Sequence, residues 1–386
     1  MAHSNFRFFS LILFTVSLLH LSTTSRVQTL FIFGDDFYDV GNKQFLAGNL
    51  IPANAHPYGV AIRSATGRWS DGLVVPNYLA EFMGIPRISS ILDSKSDFSH
   101  GASFSIAGAT VLGSPPETMK LEEQVMKFHE NKKKWSDKEL SQAIYLFYIG
   151  GEDYLDFAKN NLSPSNDQKH AFVDQVISAI DSSIKGVYES GGRKFAFQNL
   201  APLGCLPNTK QELGEGRDKC LHLPSEMAAL HNKKLLQLLN KQALELKGFQ
   251  FSFYDFFTSL HNRVVLPNTY AFTTGNAACC GTGPYNGSGC MAKSLCAKPQ
   301  AHIFFDGKHL TQEANSQIDH LMWGATPEVV GPHNLRELMS LPSDIPVVFC
   351  TDMDNRSDAI THDIYGMGTM EFGGENHVEG ADSFIM

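Results

Sequence analysis

An aspartate three residues ahead of a histidine, in Phe304-Phe305-Asp306-Gly307-Lys308-His309-Leu310, is the segment of this sequence best suited to chemistry. On a loop opening into a helix, that spacing lets the carboxylate orient the imidazole for acid/base work. Such a pair serves a nucleophile, and it needs hydrogen-bond donors for the oxyanion that develops. Two other segments combine glycines with several acids. One is Gly34-Asp35-Asp36-Phe37-Tyr38-Asp39-Val40-Gly41-Asn42; the other is Ile149-Gly150-Gly151-Glu152-Asp153-Tyr154.

Each of these last two segments follows an apolar run. Thr29–Phe33, Ala143–Ile149, Lys194–Gln198 and Phe249–Tyr254 are nearly continuous in apolar character, as strands covered on both faces should be, and Ala102–Ala107 is a weaker candidate. Between them lie helical periodicities: Leu121/Val125/Phe128, Phe172/Val176/Ile180/Ile184, and a long one from Ser225 as N-cap through Leu235 and Leu239 to Leu246. Strands alternating with helices predict a parallel sheet between two helical layers, with the site at the C-terminal strand ends.

The chain has 386 residues, 43% hydrophobic and 18% charged, which excludes collagen-like, coiled-coil and wholly disordered classes. Its net charge of -9 excludes a nucleic-acid binder built on a basic surface. Nine acids and one base, Arg356, fall between Ser343 and Met386, so the body is nearly neutral. Residues 1–25 read as a secretory signal peptide: Arg7, an apolar run from Phe8 to Leu19, then small and polar residues. Residues 26–341 are expected to form one domain and 342–386 an acidic tail. No later segment has the length and apolarity of a membrane span.

Seven cysteines fit an oxidising lumen. Cys205, Cys220, Cys279, Cys280, Cys290 and Cys296 are disulfide candidates, and Cys350 leaves the number odd. No Cys-x-x-Cys or His pair at ligand spacing accompanies them, so no metal is expected. Asn161, Asn286 and Asn355 head Asn-x-Ser sequons. The stretch Asp352–Asp358 faintly resembles a calcium loop, but Arg356 occupies a ligand position, so it reads as a solvated acidic segment. His129, His170, His222 and His231 read as surface or packing residues.

Taken in order, the three segments resemble the GDSL (SGNH) esterase/lipase family, in particular its large plant branch. Further blocks carry the likeness: Thr66-Gly67-Arg68-Trp69-Ser70-Asp71-Gly72, Gly101–Ala109, Asn199–Pro207 and Cys279–Asn286. The resemblance spans about Thr29 to Leu341. It implies a three-layer α/β/α sandwich of the SGNH-hydrolase, flavodoxin-like kind and no cofactor. It places Asp306 and His309 as orienter and base and Gly108 in the oxyanion hole.

Two positions depart from the family pattern. The nucleophilic serine is replaced by Asp36, and the oxyanion-hole asparagine by Glu152. Losing a triad nucleophile costs about a million-fold in turnover, and losing one oxyanion donor about a hundred- to a thousand-fold. An ionised Glu152 about 4 Å from a developing oxyanion adds on the order of 4 kcal/mol of repulsion at an effective dielectric of 20. The expectation is therefore a pseudoenzyme in which Asp36 pairs with a protonated His309. Asp36 and Glu152 would repel each other unless one is protonated or another base pairs with them. The sequence also resembles the myrosinase-associated and epithiospecifier-modifier-like subgroup. That likeness implies an accessory or assembly role with β-glucosidases (myrosinases) and jacalin-type lectins, in endoplasmic-reticulum-derived bodies, the vacuole or the cell exterior. The alternatives are an active carboxylic-ester hydrolase on lipid or acylated substrates and a non-catalytic binder of a small ester or glycoside.

Overall fold

In the computed structural model, which describes residues 28–47, 51–214 and 219–343, the apolar runs become the centre of a six-stranded sheet. The strands are β1 (Leu30–Gly34), β2 (Gly101–Ser103), β3 (Ile144–Tyr148), β4 (Lys194–Gln198), β5 (Gln250–Tyr254) and, at the far edge, β8 (Val330–Pro332). Two more, β6 (Thr274–Ala278) and β7 (His302–Phe304), pair in a separate small sheet. The main sheet runs in the order β2-β1-β3-β4-β5-β8. Its first five strands are parallel, and β8 is antiparallel to β5. Residues of β1, β3, β4 and β5 are buried on both faces, which is why their sequences run apolar without alternation.

The principal helices are α1 (Val75–Phe82), α2 (Leu121–Asn131), α3 (Gly151–Asn160), α4 (Asn166–Glu189), α5 (His222–Glu245), α6 (Phe256–Val265), α7 (Gln312–Gly324) and α8 (Leu335–Ser340). Helices α2, α4 and α5 pack as one group, and α1, α7 and α8 as another, giving the expected α/β/α layering. Register puts Phe33 beside Phe147 and Phe147 beside Phe197, and their rings stack at 4.8 and 5.2 Å. Burying each such ring is worth roughly 2–3 kcal/mol, so this row anchors the strand ends that carry the site.

Three local expectations are corrected. The weak strand is regular only over Gly101–Ser103, although Phe104 and Ile106 still donate to Ile32 and Gly34 of β1. The long helix starts at His222 with Leu221 as its N-cap, not at Ser225. Pro224 is tolerated in the first turn, where backbone N–H groups have no intrahelical acceptor, and the buried Ser225 Oγ accepts from Gly204 N at 3.1 Å. The sheet is parallel except for β8, a three-residue strand with a proline that carries no strand-like signal. Residues 1–25, which read as a signal peptide, and residues 344–386 of the acidic segment lie outside the described residues. None of the described helices is long and apolar enough to cross a membrane.

Candidate functional site

The chain leaves β1 through Gly34, where φ is 154° and an added Cβ would sit 2.2 Å from the Tyr148 carbonyl oxygen. Only glycine lets the ends of β1 and β3 approach that closely. Gln124 of α2 holds this exit by accepting from Gly34 N at 2.9 Å and donating to Gly34 O at 2.8 Å. The following turn winds around Asp39, whose carboxylate accepts from the backbone N–H groups of Gly41, Asn42, Lys43 and Ala107. Asp39 thus fixes the turn bearing Asp36 to the loop bearing Gly108. Asp153, in the first turn of α3, ties down the far side of that loop by accepting from Val111 N and Leu112 N. Its neighbour Glu152 is thereby aimed at the same space.

The third segment arrives from β7. Asp306 Oδ1 accepts from the backbone N–H groups of Lys308 and His309 at 2.9 and 2.8 Å, which folds the loop back on itself. Both carboxylate oxygens lie 2.8 Å from His309 Nδ1. Tyr58, 248 residues earlier, donates its hydroxyl to Asp306 Oδ2 at 2.7 Å. The Trp69 ring packs on Tyr58 and on the His309 imidazole.

Asp36, Glu152, Asp306 and His309 therefore meet, and Gly108 lines the same cleft, its φ of 80° leaving open space where a Cβ would be. At their centre is a residue whose part the spacing did not reveal. Lys308 places its ammonium 2.8 Å from Asp36 Oδ2 and in contact with Glu152 Oε1. His309 Nε2 lies 3.0 Å from Asp36 Oδ2, an ion pair whose N–H direction is too far off for a hydrogen bond. The repulsion expected between Asp36 and Glu152 is answered by a lysine from inside the Asp-x-x-His block. That block was the one available signal, since it brings a base within one residue of the histidine.

The electrostatics follow from burial against pairing. Burial alone would raise the Asp36 carboxyl, but Lys308 and His309 hold it well below the ordinary carboxylate range. For His309, burial works against the charge, yet Asp306 and Asp36 hold the imidazole up to about 9. Burial would also raise Asp306, and His309 overrides it, holding the carboxyl down. Asp35 goes the other way: burial, then the adjacent Asp36 charge, push it well above its usual range. Asp36 Oδ1 is buried without a hydrogen-bond partner among the described residues. The ion pairs run as a chain in which acids and bases alternate, Glu152, Lys308, Asp36, His309, Asp306.

Around it opens a cleft of about 400 Å³, bounded by Tyr58, Trp69, Gly108, Asn208, Gly289 and Cys290. Two disulfides brace its walls: Cys280 with Cys290, and Cys205 with Cys220 near the helical segment Pro207–Leu213. The third joins Cys279 to Cys296, so all six candidates pair; Cys350 lies outside the described residues. Asn161 closes α3, its amide nitrogen donating to Phe157 O. The Asn286 amide nitrogen donates inward to Ala278 O. Asn355 and the stretch Asp352–Asp358 lie outside the described residues. His170 and His222 are exposed, while His231 is a packing residue: burial pushes its imidazole down to about 3, and its Nδ1 meets Tyr154 Oη at 2.9 Å.

Comparison with known proteins identifies a family. The profile of the GDSL-like lipase/acylhydrolase family matches residues 30–322. An Arabidopsis thaliana protein named inactive GDSL esterase/lipase-like protein 25 is 61% identical over 385 residues, covering 97% of this chain and 92% of its own. GDSL esterase/lipase 22 and GDSL esterase/lipase ESM1 of the same plant are each 39% identical, over 84% and 81% of this chain and 85% and 83% of theirs. With that profile matching residues 30–322 and these relatives aligned over most of its length, the chain belongs to the GDSL-like lipase/acylhydrolase family.

Proposed function

We propose that this chain is a catalytically silent member of its family, retained as an accessory or assembly factor for β-glucosidase (myrosinase) and jacalin-type lectin complexes of the plant secretory pathway. The observation that carries the first half is Lys308 seated between Asp36 and Glu152. Acyl transfer needs a nucleophile, a neutral imidazole and an unoccupied hole for the oxyanion. Here a carboxylate replaces the nucleophile and salt-bridges the base. With a pKa of about 9, only about one His309 ring in a hundred is neutral at pH 7. The word "inactive" in the name of the 61%-identical relative supports the same reading.

Without turnover, selection on the chain rests on what it binds. The resemblance to myrosinase-associated proteins supplies the partner class, and a reticulum-derived body, the vacuole or the cell exterior the compartment. Two measurements test the two halves separately. Hydrolysis of p-nitrophenyl acetate should not exceed that of His309→Ala; turnover that this substitution abolishes would overturn the silent site. Affinity purification from plant tissue should recover a β-glucosidase or a lectin, and recovery of neither removes the partner assignment. A second reading, binding of a small ester or glycoside without turnover, is favoured by the open cleft of about 400 Å³, ample for a small ligand. A rise in melting temperature with such ligands supports it, and no shift at saturating concentration removes it.

A further inference from the structure

Behind the segment that delivers Asp306, β7 begins beside a disulfide. Cys279, just after β6, is bonded to Cys296, and His302 Nδ1 lies 3.6 Å from Cys296 Sγ. The two sulfurs and the histidine nitrogen all fall within 4.8 Å of one another, the one such three-ligand cluster among the described residues. We propose that Cys279, Cys296 and His302 form a redox-gated site for zinc, in which the disulfide and a tetrahedral metal ion are alternative states of the same three atoms.

Distances decide whether the ligands suit the ion. With Zn–S near 2.3 Å and Zn–N near 2.0–2.1 Å, a tetrahedral site places sulfur and nitrogen about 3.6 Å apart and its two sulfurs about 3.8 Å apart. The first separation already exists. The second requires the sulfurs to part by side-chain rotation, with Cα atoms that are 5.0 Å apart. The backbone frame does not depend on the covalent bond. Cys279 N donates to Phe304 O at 2.9 Å, Cys296 N to Cys279 O at 2.8 Å, and Thr274 is in register with His302. Reduction therefore frees the sulfurs inside a frame held by main-chain hydrogen bonds.

Burial fits an exchangeable ion. Cys279 is buried, while Cys296 and His302 are half-exposed, leaving three protein ligands and an open fourth position. His302 Nδ1 also lies 3.2 Å from Lys298 O, so in the disulfide state its proton points there. A metal at Nδ1 moves that proton to Nε2 and leaves the ring neutral. In the gating step a phosphine supplies two electrons to the S–S bond. Water provides the two thiol protons and the oxygen of the phosphine oxide, and the metal then displaces both thiol protons to solvent. The proposal is independent of the silent-site reading, because none of the three ligands lines the cleft.

The test uses the full chain, reduced anaerobically with a water-soluble phosphine and titrated with Co²⁺ as a spectroscopic stand-in for Zn²⁺. One ion per chain should bind, with thiolate-to-cobalt charge-transfer and tetrahedral ligand-field bands. Cys279→Ser/Cys296→Ser should lose the bands, and His302→Ala should bind at least about tenfold more weakly through loss of a direct ligand. Because the double variant can fail to fold, Zn²⁺ protection is mapped on the unsubstituted chain by thiol alkylation and mass spectrometry. Protection confined to Cys279 and Cys296 supports the site. Absent bands, bands retained in the double variant, unchanged affinity in His302→Ala, or protection on the other cysteines would each overturn it.

Discussion

Asp36 and Asp319 are buried to nearly the same depth and meet opposite fates. Asp36, 5% exposed, has a lysine and a protonated histidine against it and stays ionised. Asp319, on α7 and fully buried, has no hydrogen-bond partner for either carboxylate oxygen. Burial, with Glu81 adding a little, pushes it up to about 9, so it is neutral at pH 7. Burial is thus not what makes the cleft a charged site. A partner keeps a buried carboxyl ionised, and without one it takes a proton instead. In this chain such partners cluster where the ends of β1 and β3 meet the loop after β7.

The largest effect should come from taking the lysine away. Lys308→Ala leaves Asp36 and Glu152 facing each other without the cation between them, and breaking a buried pair on one side costs roughly 3–5 kcal/mol. Since the Lys308 side chain keeps 16% exposure, the lower end applies, about 3 kcal/mol in urea unfolding at pH 7. A loss under about 1 kcal/mol would mean that water replaces the ammonium and that the network is not what holds the cleft.

Asp319 supplies the opposite test. Its folded pKa lies above its unfolded one, so between about pH 4 and 9 the native state binds the extra proton and stability falls as pH rises. This one group contributes a slope of up to about 1.4 kcal/mol per pH unit. Asp319→Asn should flatten the stability profile between pH 5 and 8, gaining on the parent as pH rises. Parallel profiles would show that Asp319 finds a partner in solution, and the contrast with Asp36 would fail.

A smaller change is expected at His309. Its folded pKa of about 9 stands above the unfolded value, so its stabilisation is complete below about pH 6.5 and disappears as pH rises through 9. Asp36→Ser removes one of its two carboxylates. The imidazole pKa, followed by NMR, should fall while staying above 6.5, because Asp306 remains. An unchanged value would assign the shift to Asp306 alone. The double variant Asp36→Ser/Glu152→Asn then asks whether the scaffold can hydrolyse p-nitrophenyl acetate once the lock is open.

How much of this was legible in the sequence depends on which signals are local. Four central strands could be read because both their faces are buried and their apolar runs are continuous. β6 and β8 could not, because Thr274–Ala278 has no apolar run and Val330–Pro332 is three residues long. In the cleft, Asp36, Glu152, Asp306 and His309 sit in recognisable spacings at strand ends. Lys308 was visible as a letter, but nothing local says that its side chain turns inward toward two carboxylates. Asp319 lies on an amphipathic helix where an acid reads as solvent-facing. Tyr58 is 248 residues from the carboxylate it serves, and no periodicity connects them.

Tyr58 gives the finest test of the comparison. Its hydroxyl is one of four donors to Asp306, beside the backbone N–H groups of Lys308 and His309 and the imidazole. Tyr58→Phe removes that donor and keeps the ring, which packs on Trp69 and Phe305. A hydrogen bond to a charged group contributes about 1.5–3 kcal/mol, and the three remaining donors favour the low end, about 1.5 kcal/mol by urea unfolding. Because Asp306 stays paired with His309, the imidazole pKa should stay well above 6.5. If Tyr58→Phe instead releases the imidazole proton near neutrality, Asp306 was kept ionised by that one hydroxyl, and redundant pairing does not distinguish it from Asp319.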